Sequence, residues 1–199
     1  SSSPALLLSR LRAAFPDRPV DVVCESRNAA VLDLAADGAV YAELRFAPML
    51  HLERGLSPER VVEAVLAGLA AGRRRTGTAA FAIICAMRQN DDADAVAALA
   101  ARYAGKGVVA FDLAGPEAGF PASRHRAACR SAVRGGLHLT LHAGEAAGVE
   151  SVADALGVAP SVSTARRCDR VIHLSGSRTL GGGGCNRLAF EAHPNTLPN

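Results

Sequence analysis

A small group of residues in the second half of the chain has the types and spacing for chemistry on a small molecule. His142 and Glu145 lie in "HLTLHAGEAAG" (138–148), where a strand-like alternation runs into Ala-Gly and then an acid. A strand-end imidazole pointing into a cavity is a common metal ligand. A protonated carboxyl beside it can hand a proton to substrate. From spacing alone, an ordinary strand end with a histidine satisfied by its neighbours competes with that reading. His173 ends the next strand-like run, "DRVIH" (169–173). Asp112 and Gly115 close "FDLAG" (111–115), the run before His142. Asp112 can anchor a neighbour by hydrogen bonds. Gly115 allows close approach of backbone to a ligand, or simply a tight turn. Glu43 and Arg45 share one face of "YAELRFAP", and the pair reads as a structural salt bridge. His51, His125, His138 and His193 read as scaffold.

Positioning these residues requires strands, and the sequence offers six. They are the apolar runs at 39–48, 79–88, 107–115, 137–144, 169–176 and 187–194. Several lack clean alternation, as expected of strands buried on both faces in a parallel sheet. Helical patterns lie between them. Ser57-Pro58-Glu59 reads as an N-cap, a proline at the first helical position and an acid in the first turn. Val61, Val62, Val65, Leu66 and Leu69 then trace one face. Arg73-Arg74-Arg75 suits that helix's C-terminus. Further helices are expected at 91–103, at 123–136 with a glycine pair as C-cap, and at 149–156. Residues 1–38 read as two helices, 4–15 and 26–38.

Alternating strands and helices leave two architectures, an open doubly wound sheet and a closed (β/α)8 barrel. The open sheet would carry a glycine-rich phosphate loop after an early strand, and "GGGG" at 181–184 does not fit one. In a barrel, polar residues gather at the C-terminal ends of strands. Glu43, Arg45, Arg88, Asp112, His142, Glu145, His173 and Glu191 do so. The expectation is a single α/β domain over 1–199, a partial (β/α)8 TIM-type barrel with about six of eight strands and the first and last missing. An open arc would leave two unpaired edges, which favour self-association.

Composition excludes other classes. The 199 residues are 49% hydrophobic, enough for a sizeable core. A net charge of +3 from 22 basic and 19 acidic residues is too mild to argue for nucleic acid or a membrane surface. Five scattered cysteines without a C-x-x-C pair argue against a disulfide framework or a zinc knuckle and suit a reducing, cytoplasmic setting. No apolar run approaches the ~18 residues of a membrane span. The chain starts with Ser, not Met, and no signal peptide is read at its start.

In order, "YAELRFAP", "CAMR", "GVVAFDLAGPEAGFP" and "LTLHAGEAAG" resemble the adenosine deaminase family, closest to its bacterial members. The resemblance covers 25–173 well and 187–196 weakly. It implies a zinc-dependent (β/α)8 barrel that hydrolyses the 6-amino group of adenosine or deoxyadenosine, giving inosine or deoxyinosine and ammonia. By the same resemblance His142 is a zinc ligand and Glu145 protonates the purine at N1. His173 handles the proton of the zinc-bound water, and the Gly115 backbone contacts the purine.

The departures are as informative. The family's first strand carries a His-x-His pair, and none occurs here. Its last strand carries an Asp-Asp pair, whereas Asp91-Asp92 lies at a helix start. One of four protein ligands is therefore present, and one histidine does not hold zinc well. Ile172 and Leu174 flank His173 where the family has glycines, and 174–199 reads as divergent or rearranged. The expectation is a deaminase by descent that is inactive or weak as this chain alone. The alternatives are an adenine or other aminopurine deaminase, and a non-catalytic pseudoenzyme or fragment.

Overall fold

The computed structural model describes residues 19–52, 55–158 and 171–173, with side chains over 23–52 and 55–158. The elements run α1 (Pro19–Ala36), β1 (Tyr41–Phe46), α2 (Pro58–Thr76), β2 (Ala79–Met87), α3 (Ala93–Arg102), β3 (Val108–Ala114), α4 (Arg126–Arg134), β4 (His138–His142), α5 (Gly148–Val158) and β5 (Val171–His173). Short 3-10 turns occupy Pro48–His51 and Ala122–His125. The expected helix at 4–15, the sixth strand at 187–194 and the divergent 174–199 lie outside the described residues.

Strand order is β1-β2-β3-β4-β5, the order of the chain itself. A doubly wound sheet reverses its strand order part-way, and this one does not. β1 pairs parallel with β2, β3 with β4, and β4 with β5. Parallel neighbours joined through helices in sequential order are the topology of a (β/α)8 barrel, so the chain is α/β and a segment of that fold. β2 and β3 are buried along nearly their whole length, which explains their lack of alternation.

The fold divides into two compact units, Ser1–Cys85 with Tyr103–Val109, and Ala86–Arg102 with Ala110–Asn199. In the first unit, α2 begins as its sequence dictates. The Ser57 hydroxyl accepts from the Arg60 N–H at 3.3 Å, with Pro58 in the first turn. It ends at Gly77, whose φ of 79° is the left-handed conformation of a helix stop and whose N–H donates to the Arg73 carbonyl. Val61, Val62, Val65 and Leu69 are buried beneath it. α1 crosses α2 at Gly68 and Gly72. A Cβ at Gly68 would stand 2.1 Å from the Cys24 carbonyl oxygen, and one at Gly72 would stand 2.5 Å from the Val31 Cβ. Only hydrogen at these two positions lets the helix backbones approach so closely.

In the second unit the core is Phe111 and Leu113 of β3, Leu139 and Leu141 of β4, and Ala128, Cys129 and Ala132 of α4. α4 stops at the expected glycine pair: the Gly135 N–H donates to Ser131 and the Gly136 N–H to Val133. This packing fixes the C-terminal ends of β3 and β4, where the polar residues gather.

Candidate active site

Parallel register explains how Asp112 and His142 meet. Asp112 is the register partner of Thr140, two residues before His142. Side chains two apart on a strand share a face, so Asp112 and His142 are diagonal neighbours. The His142 Nδ1 lies 2.8 Å from the Asp112 Oδ2. Asp112 is fully buried, and the His142 side chain is 18% exposed. The imidazole and the carboxylate are thus in close polar contact across β3 and β4, an ion pair only when the ring is protonated. Metal-binding histidines commonly have a carboxylate beside the other ring nitrogen. A lone histidine beside a carboxylate is at most one metal donor. Among the described residues, no group of three or more His, Cys, Asp or Glu side chains is placed to hold a metal ion. The donor set on the described residues does not fit a complete zinc site.

Beyond β4 the chain turns through Ala143 and Gly144, the latter at φ 81°, and presents Glu145 exposed to solvent. His173 is the register partner of His142 across β4 and β5, so the backbone brings these two strand ends side by side. Gly115 ends β3 at φ 96°, and a Cβ there would meet the Gln89 Oε1 at 2.4 Å and the Met87 Cε at 3.2 Å. Both the turn and the close approach require glycine here.

Two residues that chemistry-minded reading of the sequence does not pick out as organisers sit at this end of the unit. Arg88 is fully buried. Its guanidinium donates to the carbonyls of Phe120 at 3.3 Å, Leu113 at 3.4 Å and His142. Its own carbonyl lies 2.8 Å from the His125 Nε2, which therefore donates, and its N–H donates to Ala114. His125 is scaffold. Glu117 is 6% exposed. Its carboxylate accepts from the Ala146 N–H at 2.6 Å, the Ala147 N–H at 2.9 Å and the Ser151 hydroxyl at 3.2 Å. Burial pushes the Glu117 carboxyl up, but those three hydrogen bonds and the Arg88 charge outweigh it and hold the group below its ordinary value. In the first unit, Glu43 accepts from the Tyr41 hydroxyl at 2.5 Å.

The adenosine deaminase family matches residues 21–169, three quarters of the chain, including β1 to β4 and every residue of the Asp112–His142–Glu145 arrangement. The chain belongs to the adenosine deaminase family. A member from Mycobacterium ulcerans (strain Agy99), adenosine deaminase, is 48% identical over 131 residues, 63% of this chain and 36% of its own length. Adenosine deaminase 1 of Streptomyces coelicolor is 48% identical over 175 residues, 83% of this chain and 43% of its own length. The chain thus spans well under half the length of these members of the adenosine deaminase family. Two solved structures share the fold. An amidohydrolase from Burkholderia ambifaria with bound zinc has a TM-score of 0.65 at 23% identity, over 69% of this chain and 39% of that one. An adenine deaminase from Arthrobacter aurescens has a TM-score of 0.62 at 23% identity, over 76% of this chain and 48% of that one.

Proposed function

We propose that the chain carries the purine-binding and proton-donating part of a hydrolytic deaminase acting on adenosine and deoxyadenosine, a soluble, cytoplasmic enzyme of purine salvage. The observation that carries this reading is the buried Asp112 carboxylate 2.8 Å from His142, three residues before Glu145, in a chain of the adenosine deaminase family. The Gly115 backbone at the end of β3 contacts the purine. Glu145 donates a proton to a ring nitrogen, which makes the carbon bearing the amino group electrophilic enough for water to attack. His142 would serve as one ligand if zinc is bound, and His173 would relay the proton of the attacking water. Zinc is supported by the family and by the bound ion in the Burkholderia structure. Its remaining ligands are not supplied by the described residues, so no step is assigned to it here. The Arthrobacter adenine deaminase keeps a second substrate, adenine or another aminopurine, in play.

Two measurements test the proposal. Adenosine, adenine and cytidine are titrated into the labelled chain while the Gly115 amide resonance is followed. The two purines are expected to shift it saturably and cytidine to leave it in place; equal responses to all three, or none, would sink the reading. The chain is then incubated with zinc and adenosine while the ultraviolet absorbance change on inosine formation is recorded. No turnover, or a trace that Glu145→Gln removes, is expected. Turnover that survives Glu145→Gln would show that Glu145 is not the acid.

A further inference from the structure

We propose that Arg88 and Glu117 form a main-chain clamp of opposite charges that fixes the segment His142–Ala147, and through it the position of Glu145. The inference rests on the reading of Glu145 as the proton donor. Its geometry is independent of that reading.

The two ends of the segment offer opposite chemistry. At its start the His142 carbonyl closes a parallel strand, and a carbonyl needs a donor. Arg88 supplies it, with the same guanidinium also held by Leu113 of β3 and Phe120 of the following loop. At its finish the N–H groups of Ala146 and Ala147 stand just before α5, with no helical carbonyl behind them, and they need an acceptor. Glu117 supplies it with one carboxylate oxygen, while its other oxygen accepts from Ser151. The positive end of the α5 dipole favours the same negative charge. Only Ala143, Gly144 and Glu145 lie between the held ends. With both ends tied to the rigid β3–β4 frame, a three-residue bridge has little freedom to place Glu145 elsewhere.

Ordinary scaffold roles are the rival account, with Glu117 a helix cap and Arg88 a core filler. Two observations favour the clamp. Both charges are buried, at a cost that a merely capping serine or a core leucine would avoid. Among the described residues, neither is hydrogen-bonded to the other. Apart from the Ser151 hydroxyl on Glu117, each spends its hydrogen bonds on backbone groups, and the two converge on the two ends of one loop.

The test is carried out on the full chain without purine or zinc. Amide hydrogen exchange is read at Ala146 and Ala147, and the Glu145 side-chain carboxyl is followed by carbon NMR. Glu117→Ala is expected to speed exchange at those two amides by about tenfold or more, the loss of hydrogen bonds to a charged group. It should also move the Glu145 carboxyl signal, while amides of Leu139 and Leu141 hold their rates. Glu117→Gln keeps an acceptor at reduced strength, so it should fall between wild type and Glu117→Ala, and it decides the matter if the alanine variant does not fold. Arg88→Lys, which cannot span three carbonyls, should move the same Glu145 signal. Gly68→Ala, a destabilised control in the other unit, should leave it in place. An unchanged Glu145 signal in all Glu117 and Arg88 variants overturns the clamp, as does an equal change in Gly68→Ala. Purine binding plays no part in these readouts, so a chain that binds no purine but shows the local response would sink the proposed function and leave the clamp standing.

Discussion

At the scale of single residues, the Asp112–His142 contact makes the sharpest demand. Asp112→Ala removes the buried carboxylate in polar contact with the His142 ring, and the loss is expected to be about 1–3 kcal/mol by denaturant unfolding. Nitrogen NMR of the His142 ring should show the Nδ1 resonance shifted in this variant. Cys129 behaves oppositely to a reactive thiol. Burial first, and the Asp112 charge second, push it up to about 12. A thiol reagent at pH 8 should leave Cys129 unlabelled in the folded chain and label it only on unfolding, as mass spectrometry of the peptide would show. Glu117 sets a pH limit. Its folded value lies below the ordinary 4.5, so the stability it brings is fully present above 4.5 and is lost as pH falls through the lower folded value. An acid titration of unfolding midpoints should flatten over that range in Glu117→Gln. His142 and Glu145 were legible because a histidine at a strand end, followed by Ala-Gly-Glu, is a local pattern. Glu117 was not. It stands in a Gly/Pro turn, where an acid is ordinarily solvated, and its partners lie 29 to 34 residues further along the chain.

At the scale of elements, sequence and structure agree where signals are local. The cap at Ser57, the stop at Gly77 and the glycine pair after α4 each reflect one turn of backbone geometry, and strand runs with near-continuous burial mark β2 and β3. The α1–α2 crossing is different. Gly68 and Gly72 sit four apart on one helix face, and small residues at that spacing could have signalled a close helix pair. Interior glycines lower helix propensity, which masks the signal. Gly68→Ala would drive a methyl onto the Cys24 carbonyl at 2.1 Å, a contact with backbone that cannot swing aside. The expected cost is about 1–3 kcal/mol, read as a lowered thermal midpoint by circular dichroism. Ala67→Gly, one residue earlier, makes no such contact and should cost only about 1 kcal/mol of propensity.

At the scale of the whole molecule, the sequential parallel order was legible from the recurrence of βα units, while the number of strands in the complete barrel lies beyond the described residues. Among the described residues β1 stands at one end of the strand order, and next to it Val40 is 82% exposed and Tyr41 50%. A strand edge bordered by exposed apolar residues is a template for pairing with another chain. If this edge is open in the whole chain, it would pair with a second copy, and Val40→Lys should then lower the mass seen by light scattering as concentration rises. The division of the fold also bears on synthesis. The first unit is discontinuous, since it needs Tyr103–Val109 as well as Ser1–Cys85. A ribosome that has released the chain through Cys85 has not yet made what that unit requires. By the time Val109 emerges, Ala86–Arg102 of the second unit is already outside the tunnel. A nascent chain paused between 86 and 102 would therefore expose the first unit before its last segment has emerged, the state most open to a chaperone.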